Sequence, residues 1–191
     1  MKLSVKVSAI SGRGIFAEQD IRRGEHIYHL DGERVSLAQC VGRVARGTLR
    51  IDDPLPIRKY EYIVLDDFSV LFNHNCEANA AIVGESDLVA LVDIPAGQEI
   101  TFDYSLTVRP SIFTRFWRMP CKCRAATCRG SIGDVRTIQL ERLQAYVRAG
   151  ALQDFILDAI DARGPIDRAV KWWKPPHKAN PNEDWNLAKG L

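Results

Sequence analysis

The apolar residues of this chain occur in short runs, and turn-forming residues interrupt each run before it grows long. Gly12 and Gly14 flank one such turn, Gly24 lies in another, and Pro95 and Gly97 form a third. Short apolar runs between turns are typical of strands rather than helices. The runs span residues 3–7, 15–17, 25–30, 60–65, 80–83, 88–92 and 100–104. The sequence therefore predicts a mostly β fold built from small sheets.

One short helix and one loop are expected to interrupt these strands. Ser36 is placed to cap a helix that continues to about Ala45. Helical spacing puts four apolar residues on one face of it, namely Leu37, Cys40, Val41 and Val44. Residues 46–59 contain two prolines and two adjacent aspartates, which favour a loop.

From Thr137 onward the spacing of apolar residues becomes helical. Gly150 and the Gly164-Pro165 pair are expected to end two successive helices. The apolar positions are Ile138, Leu140, Leu143, Tyr146 and Val147 in the first helix, and Leu152, Phe155, Ile156 and Ile160 in the second. The chain is thus predicted to be a β domain followed by a helical appendix.

The bulk properties are those of an ordinary globular protein. The chain has 191 residues, 46% hydrophobic and 26% charged, with a net charge of +2. No apolar run approaches the roughly 18 residues of a membrane span, and polar residues interrupt the N-terminal stretch, so it does not resemble a signal peptide. We therefore expect an intracellular protein, cytoplasmic or nuclear, that does not insert into membranes.

The cysteines indicate a metal site. The chain has five, an odd number, and Cys121, Cys123 and Cys128 lie close together, whereas a disulfide framework would spread pairs along the chain. Structural zinc prefers four thiolate or imidazole ligands. These three cysteines leave the fourth ligand open between water, His177 and Cys40.

Three segments carry a recognisable order and spacing. They are GRGIFA at residues 12–17, FNHNCEAN at residues 72–79 and IPAGQEITFDY at residues 94–104. Together they resemble the SET domain, whose usual forms are G-x-G, N-H-S-C-x-P-N and G-E-E-L-T-F-D-Y. The Cys-x-Cys-x₄-Cys run that follows resembles the post-SET segment. Each motif alone is weak, and the order of all three carries the resemblance.

The resemblance implies a fold and a division of the chain. The expected fold is the SET fold of small β-sheets with a knot-like active site, a post-SET zinc loop and C-terminal helices. We assign the SET domain to residues 1–105, the post-SET zinc-binding segment to residues 106–133 and the helical C-terminal extension to residues 134–191.

The resemblance also implies an activity and its residues. Members of this family transfer methyl groups from S-adenosylmethionine to the side-chain amine of a protein lysine and release S-adenosylhomocysteine. By position, Tyr104 supplies a hydroxyl near the transferred methyl, and Phe102, two residues earlier on the same side of the strand, lines the lysine channel. The implied cofactor-binding residues are Arg13, Gly14, Asn73, His74 and Tyr104.

In the enzymes that this chain resembles, the fourth zinc ligand is the cysteine of the N-H-S-C motif. Cys76 occupies that position, so the implied ligands are Cys76, Cys121, Cys123 and Cys128. Such a zinc ion ties the post-SET segment to the catalytic core without taking part in the chemistry. Cys40 is left as an ordinary buried thiol.

Some positions depart from the family pattern. Leu30 stands where many relatives have a tyrosine, and Val70 where some have an arginine near the cofactor. Tyr60 and Tyr62 are equal candidates for a cofactor wall. The adenine could be covered by Phe116-Trp117 or by Ile132, all of which could equally pack around zinc.

The substrate implied is a protein or peptide with an accessible lysine, histones and other basic proteins being candidates. Because position 102 is phenylalanine and not tyrosine, we expect di- or trimethyllysine as the product. Two alternatives are a non-catalytic module that keeps the fold, and a nucleic-acid-binding zinc protein suggested by the basic residues between Arg109 and Arg129. The small net charge and sparse aromatic residues argue against direct nucleic-acid binding.

Overall fold

The computed structural model of this chain describes residues 3–50, 53–110 and 118–161. Within them the chain forms short strands that never exceed five residues, together with three helices. The strands are β1 Leu3–Val7, β2 Arg13–Ala17, β3 His26–His29, β4 Gly32–Ser36, β5 Pro54–Arg58, β6 Glu61–Leu65, β7 Asn73–His74, β8 Ala80–Val83, β9 Asp87–Ala90, β10 Thr101–Phe102, β11 Met119–Pro120 and β12 Ser131–Ile132. The helices are α1 Leu37–Ala45, α2 Leu140–Arg148 and α3 Asp154–Asp161. The prediction of a mostly β fold with small sheets is confirmed.

The largest sheet has five strands in the order β3-β9-β8-β10-β7. Strand β10 lies between β7 and β8 and is parallel to both, although it follows both in the chain. The remaining strand pairs of the sheet are antiparallel. A late strand thus inserts between two earlier ones and brings residues 101–102 beside residues 73–74.

A three-stranded sheet in the order β4-β6-β5 corrects one prediction. The loop expected over residues 46–59 is wrong for Pro54–Arg58, which form β5 and pair with β6. Proline lacks the N–H that a central strand must donate, but β5 is an edge strand and so tolerates Pro54 and Pro56.

Helix α1 begins where the sequence predicts. The Ser36 side chain accepts a hydrogen bond from the Gln39 backbone N–H, and the Gln39 side chain accepts one from the Ser36 N–H, which completes a capping box. The apolar residues predicted to share one face of α1 are only partly buried. Cys40 is the one buried residue of the helix, and Val41 is 60% exposed.

The helical appendix after residue 137 is confirmed for its described part, to Asp161; Gly164-Pro165 lies outside the described residues. Helix α2 is followed by Gly150, whose positive φ of 65° suits a residue without a Cβ. The apolar faces of α2 and α3 pack against Ala81, Leu91 and Leu106 of the β domain. The appendix therefore shares a core with the β domain. No described helix is long and apolar enough to cross a membrane.

We predict that Ile156→Ala lowers the free energy of unfolding by about 2–5 kcal/mol, because Ile156 is fully buried in this shared core. Leu140→Ala, at a position that is 38% exposed on the neighbouring helix, is the control and should cost much less. Urea unfolding of both variants measures the difference. Equal losses would contradict the packing of α3 against the β domain.

Candidate active site

Two of the sequence motifs meet through the parallel pairing of β7 and β10. Asn73 lies opposite Thr101, and His74 lies opposite Phe102. The Asn75 N–H donates to the Phe102 carbonyl oxygen at 3.3 Å, which extends the contact by one residue. The segments of residues 72–79 and 94–104 are therefore neighbours in space, as their common assignment to one site requires.

Tyr104 lies just beyond the end of β10. The strand expected over residues 100–104 is only Thr101–Phe102, and Tyr104 begins a 3-10 turn, Tyr104–Leu106. The rings of Phe102 and Tyr104 still meet, with centroids 4.8 Å apart. The Tyr104 hydroxyl donates to the Phe72 carbonyl oxygen at 2.7 Å. Burial raises the pKa of Tyr104, so its hydroxyl keeps its proton at neutral pH.

Asn73 joins the N-terminal turn to this region. Its amide nitrogen donates to the Arg13 carbonyl oxygen at 3.0 Å and to Glu99 Oε1 at 2.8 Å. A Cβ on Gly14 would lie 2.1 Å from the same carboxylate oxygen. A side chain at position 14 would therefore force the Glu99 carboxylate to move and disturb its contact with Asn73, whereas glycine leaves the backbone close to Asn73. The three predicted cofactor-binding positions Arg13, Gly14 and Asn73 thus lie together.

A cluster of sulfur and nitrogen atoms lies behind these residues. The ligand atoms of His74, Cys76, Cys121 and Cys123 all lie within 4.8 Å of one another. Cys128 is not one of these four, but it interacts with the thiols of Cys121 and Cys123. The four predicted zinc ligands are therefore neighbours, and His74 is a fifth candidate that the sequence did not suggest as a ligand.

The hydrogen bonds of His74 favour a place beside the cysteine cluster over a role as a metal ligand. Its Nδ1 accepts the Tyr104 backbone N–H at 3.1 Å, so in the neutral ring the proton is on Nε2. Nε2 lies 3.4 Å from Cys76 Sγ and donates to it. Burial lowers the pKa of His74 to about 4, which keeps the ring neutral. The side chain is 5% exposed, so a cofactor would contact only the backbone of His74.

The donor set suits zinc. Four cysteine sulfurs are the ligands of many closed structural zinc sites. Burial raises the pKa of Cys76 to about 11. Burial also acts to raise the pKa of Cys123, but hydrogen bonds from backbone N–H groups lower it to about 7. Ligation requires thiolates, so zinc binding releases protons and weakens as the pH falls.

Cys40, the fifth cysteine, is buried in α1 and has a pKa raised mainly by burial. This agrees with the expectation of an ordinary buried thiol.

Polar contacts also hold the cysteine segment, residues 118–133, against the β domain. Arg129 binds the Asp103 carboxylate through two nitrogens, at 2.8 and 2.7 Å. Glu77 accepts hydrogen bonds from the backbone N–H and the hydroxyl of Thr127. Sequence reasoning noted the basic residues here but missed both contacts. The run of six basic residues without an acid between residues 105 and 133 indicated that this segment needs acidic partners, but it did not indicate which ones.

An aromatic cluster supports the carbonyl that Tyr104 binds. The ring of Tyr28 lies 5.0 Å from that of Phe68 and 5.7 Å from that of Phe72. The sequence did not indicate this cluster, because its members come from segments distant in the chain. It fixes Phe72, and with it the acceptor for the Tyr104 hydroxyl.

The other residues considered for the cofactor and lysine sites differ in how far they are buried. Tyr60 is exposed, whereas Tyr62 is partly buried and its pKa is raised mainly by burial. Leu30 and Ile132 are buried, and Val70 is exposed. Phe116 and Trp117 lie outside the described residues.

Comparisons with known proteins agree with this arrangement. The sequence profile of the SET domain matches residues 12–105. A histone-lysine N-methyltransferase of Cryptococcus neoformans, described as H3 lysine-4 specific, is 33% identical over 138 residues, which are 64% of this chain and 9% of that protein. A human histone-lysine N-methyltransferase, described as H3 lysine-36 specific, is 27% identical over 140 residues, which are 64% of this chain and 5% of that protein.

A third relative, the rice histone-lysine N-methyltransferase TRX1, is 28% identical over 151 residues, which are 70% of this chain and 14% of that protein. The chain therefore spans only a small part of the length of these relatives. The matched region includes the Gly14 turn, the Asn73 segment and Tyr104, which the fold brings together. Residues 12–105 of this chain belong to the SET-domain family.

Proposed function

We propose that this chain is a protein-lysine N-methyltransferase that uses S-adenosylmethionine and dimethylates or trimethylates its target. The observation that carries the proposal is the meeting of Tyr104, Phe102 and Asn73 at the β7–β10 pairing. The three relatives described above are named histone-lysine N-methyltransferases, and we extend that activity to this chain. The proposal includes an intracellular location, cytoplasmic or nuclear.

The lysine amine must arrive without its proton, since an ammonium has no lone pair. Free lysine has a pKa near 10.4, and an apolar channel favours the neutral amine. Phe102, 4% exposed and packed on the ring of Tyr104, would supply part of such a wall. When bound, the sulfonium cofactor supplies both the methyl group and its own leaving group. The chain's residues therefore need only bind the cofactor and the lysine, align the amine with the methyl group and shield both from water.

The Tyr104 hydroxyl has a suitable orientation for this role. Its proton points to the Phe72 carbonyl oxygen, so the lone pairs of the phenol oxygen face elsewhere. An oxygen held with its lone pairs directed at an electron-poor methyl group stabilises charge that develops there during transfer. In the proposal Tyr104 is the catalytic residue, Phe102 lines the channel, and Arg13, Gly14, Asn73 and the backbone of His74 bind the cofactor.

Zinc would be held by Cys76, Cys121, Cys123 and Cys128, with Nε2 of His74 donating a hydrogen bond to the Cys76 sulfur. A metal-bound thiolate commonly receives such a hydrogen bond from a neighbouring group. In this arrangement zinc fastens the cysteine segment to the turn that follows β7, and its role is structural.

The activity is tested with the purified chain, isotope-labelled S-adenosylmethionine and mixed histones, followed by a wider cell lysate. Mass spectrometry of tryptic peptides locates the methylated lysines. The proposal is supported if labelled methyl groups appear on lysine only when the active protein is present. Cofactor binding without any transfer would favour the non-catalytic alternative.

We predict one zinc ion per chain and its loss in Cys76→Ser, because the replacement removes the ligand that belongs to the β domain. Cys40→Ser is the matched control: it also removes a buried thiol, but one outside the cluster, and should retain zinc. Elemental analysis of the purified variants gives the stoichiometry. Full zinc content and activity in Cys76→Ser would refute the assignment.

We predict that Tyr104→Phe keeps the fold and cofactor binding but slows methyl transfer by about 10²–10³-fold, since it removes one aligned oxygen. Tyr146→Phe is the matched control. It too removes a buried phenol hydroxyl, which accepts a hydrogen bond from Arg142 at 3.0 Å in the helical appendix. Steady-state rates with the same substrate compare the two. A Tyr104→Phe variant as active as the parent would exclude the catalytic role.

We predict that Phe102→Tyr shifts the product toward monomethyllysine, because an added hydroxyl can hold the amine or a water and hinder its rotation. The parent should give di- or trimethyllysine. Mass spectra of a methylated peptide at long reaction times distinguish the products, and thermal unfolding controls for damage to the core. A parent that stops at one methyl group would contradict the assignment.

A further inference from the structure

We propose that the side chain of Arg129 positions Tyr104 by acting through Asp103, whereas the backbone N–H of Arg129 separately donates to Cys76 Sγ at 3.5 Å, a contact that replacing the side chain leaves in place. The inference rests on the proposed function for its kinetic test, but its structural test does not require activity. Arg129 belongs to the cysteine segment and Asp103 to the chain directly before Tyr104. The contact therefore links a distant segment to the residue that aligns the methyl group.

The geometry of the pair is specific. Arg129 Nη1 lies 2.8 Å from Asp103 Oδ2, and Nη2 lies 2.7 Å from Oδ1. Nη2 also lies 3.1 Å from the Ser105 hydroxyl oxygen. The Arg129 side chain is 11% exposed and the Asp103 side chain is fully buried. A planar guanidinium binds both carboxylate oxygens at once, which the single ammonium of a lysine cannot do.

Asp103 controls the start of the turn that holds Tyr104. Its carboxylate accepts the Ser105 backbone N–H at 3.0 Å and so caps the 3-10 turn that begins at Tyr104. The same oxygen that caps the turn is bound by Arg129 Nη2. Arg129 therefore fixes the carboxylate, the carboxylate fixes the turn, and the turn sets where the Tyr104 hydroxyl points.

A buried carboxylate without a partner is strongly unfavourable. Without Arg129, the Asp103 carboxylate loses its guanidinium partner and would rotate toward water, which weakens the cap. His74 Nδ1 is 3.4 Å from Asp103 Oδ1, but that nitrogen already accepts the Tyr104 N–H and does not replace the guanidinium.

The chain contains a matched pair that serves as the control. Asp134 is also a buried N-cap of a 3-10 turn, accepts the backbone N–H two residues later, and is bound by the side chain of Arg136. That turn, Val135–Thr137, holds no residue of the proposed site. Removing Arg136 thus also takes the guanidinium partner from a buried carboxylate, at a turn that touches the Tyr104–Leu106 turn only through neighbours such as Thr137 and Ser105 and not through Asp103.

The kinetic test compares Arg129→Met with Arg136→Met in the full chain. We expect Arg129→Met to lower kcat by about 10²-fold, with KM for the peptide within about threefold and with unchanged zinc content and cofactor affinity. Arg129→Lys should recover part of kcat. Arg136→Met should keep the parental kcat even if it is destabilised. A parental kcat in Arg129→Met, or zinc loss in proportion to activity, would overturn the inference.

A double variant guards against misfolding. Arg129→Met combined with Asp103→Asn leaves no unpaired charge, so it should fold better than Arg129→Met alone. We expect its kcat to stay low, because no guanidinium orients the capping group. Full recovery of kcat in the double variant would mean that only charge compensation matters and would overturn the positioning role.

The structural test uses NMR of the chain labelled at the ζ carbon of its five tyrosines. The Tyr104 signal is identified by its absence in Tyr104→Phe. It should shift or broaden in Arg129→Met and remain in place in Arg136→Met. An unchanged Tyr104 signal in Arg129→Met overturns the inference even if the chain proves inactive as a methyltransferase, whereas a shifted signal in an inactive parent counts against the proposed function alone.

Discussion

The parallel pairing of β10 with β7 is the contact on which the rest of the site depends. It places His74 beside Phe102, and it is made of two residues on each side. Two-residue strands are too short to be stable alone, so neighbouring interactions must hold them. Asn79 supplies one: its side chain accepts the Thr101 N–H and donates to the Glu99 carbonyl oxygen. Side-chain hydrogen bonds thus replace the ladder that a longer strand would have provided.

Polar contacts attach the cysteine segment to the β domain, in addition to the burial of Ile132. These contacts include those among the thiols, one buried ion pair and the hydrogen bonds to Glu77. Such groups tolerate burial only when each finds its partner, so they specify one position of the segment more strictly than apolar packing would. The arrangement also makes the segment sensitive to change. Removing one partner leaves another buried polar group unsatisfied.

Features decided by local chemistry could be predicted from the sequence. Ser36 and Gln39 form the predicted helix cap, and the helical spacing after residue 137 gives α2 and α3. Features decided by contacts between distant residues could not be predicted from the sequence. Pro54 and Pro56 led to the prediction of a loop, because prolines favour loops in the sequence. That they lie in an edge strand is clear only from the pairing of β5 with β6. The thiol cluster was expected through family resemblance, but the pairing of Arg129 with Asp103 joins residues 26 apart that no local pattern connects.

The turn Tyr104–Leu106 explains why the helical appendix and the cysteine segment both bear on the site. Tyr104 faces Phe72 and Phe102, whereas the hydroxyl of Ser105 is bound by Arg129. Leu106, the third residue, is buried among the residues of α2 and α3. Three consecutive side chains therefore connect the site, the cysteine segment and the appendix. Because a 3-10 turn sends successive side chains in directions about 120° apart, one turn can make all three contacts. A shift in any of these partners would move the same short piece of backbone.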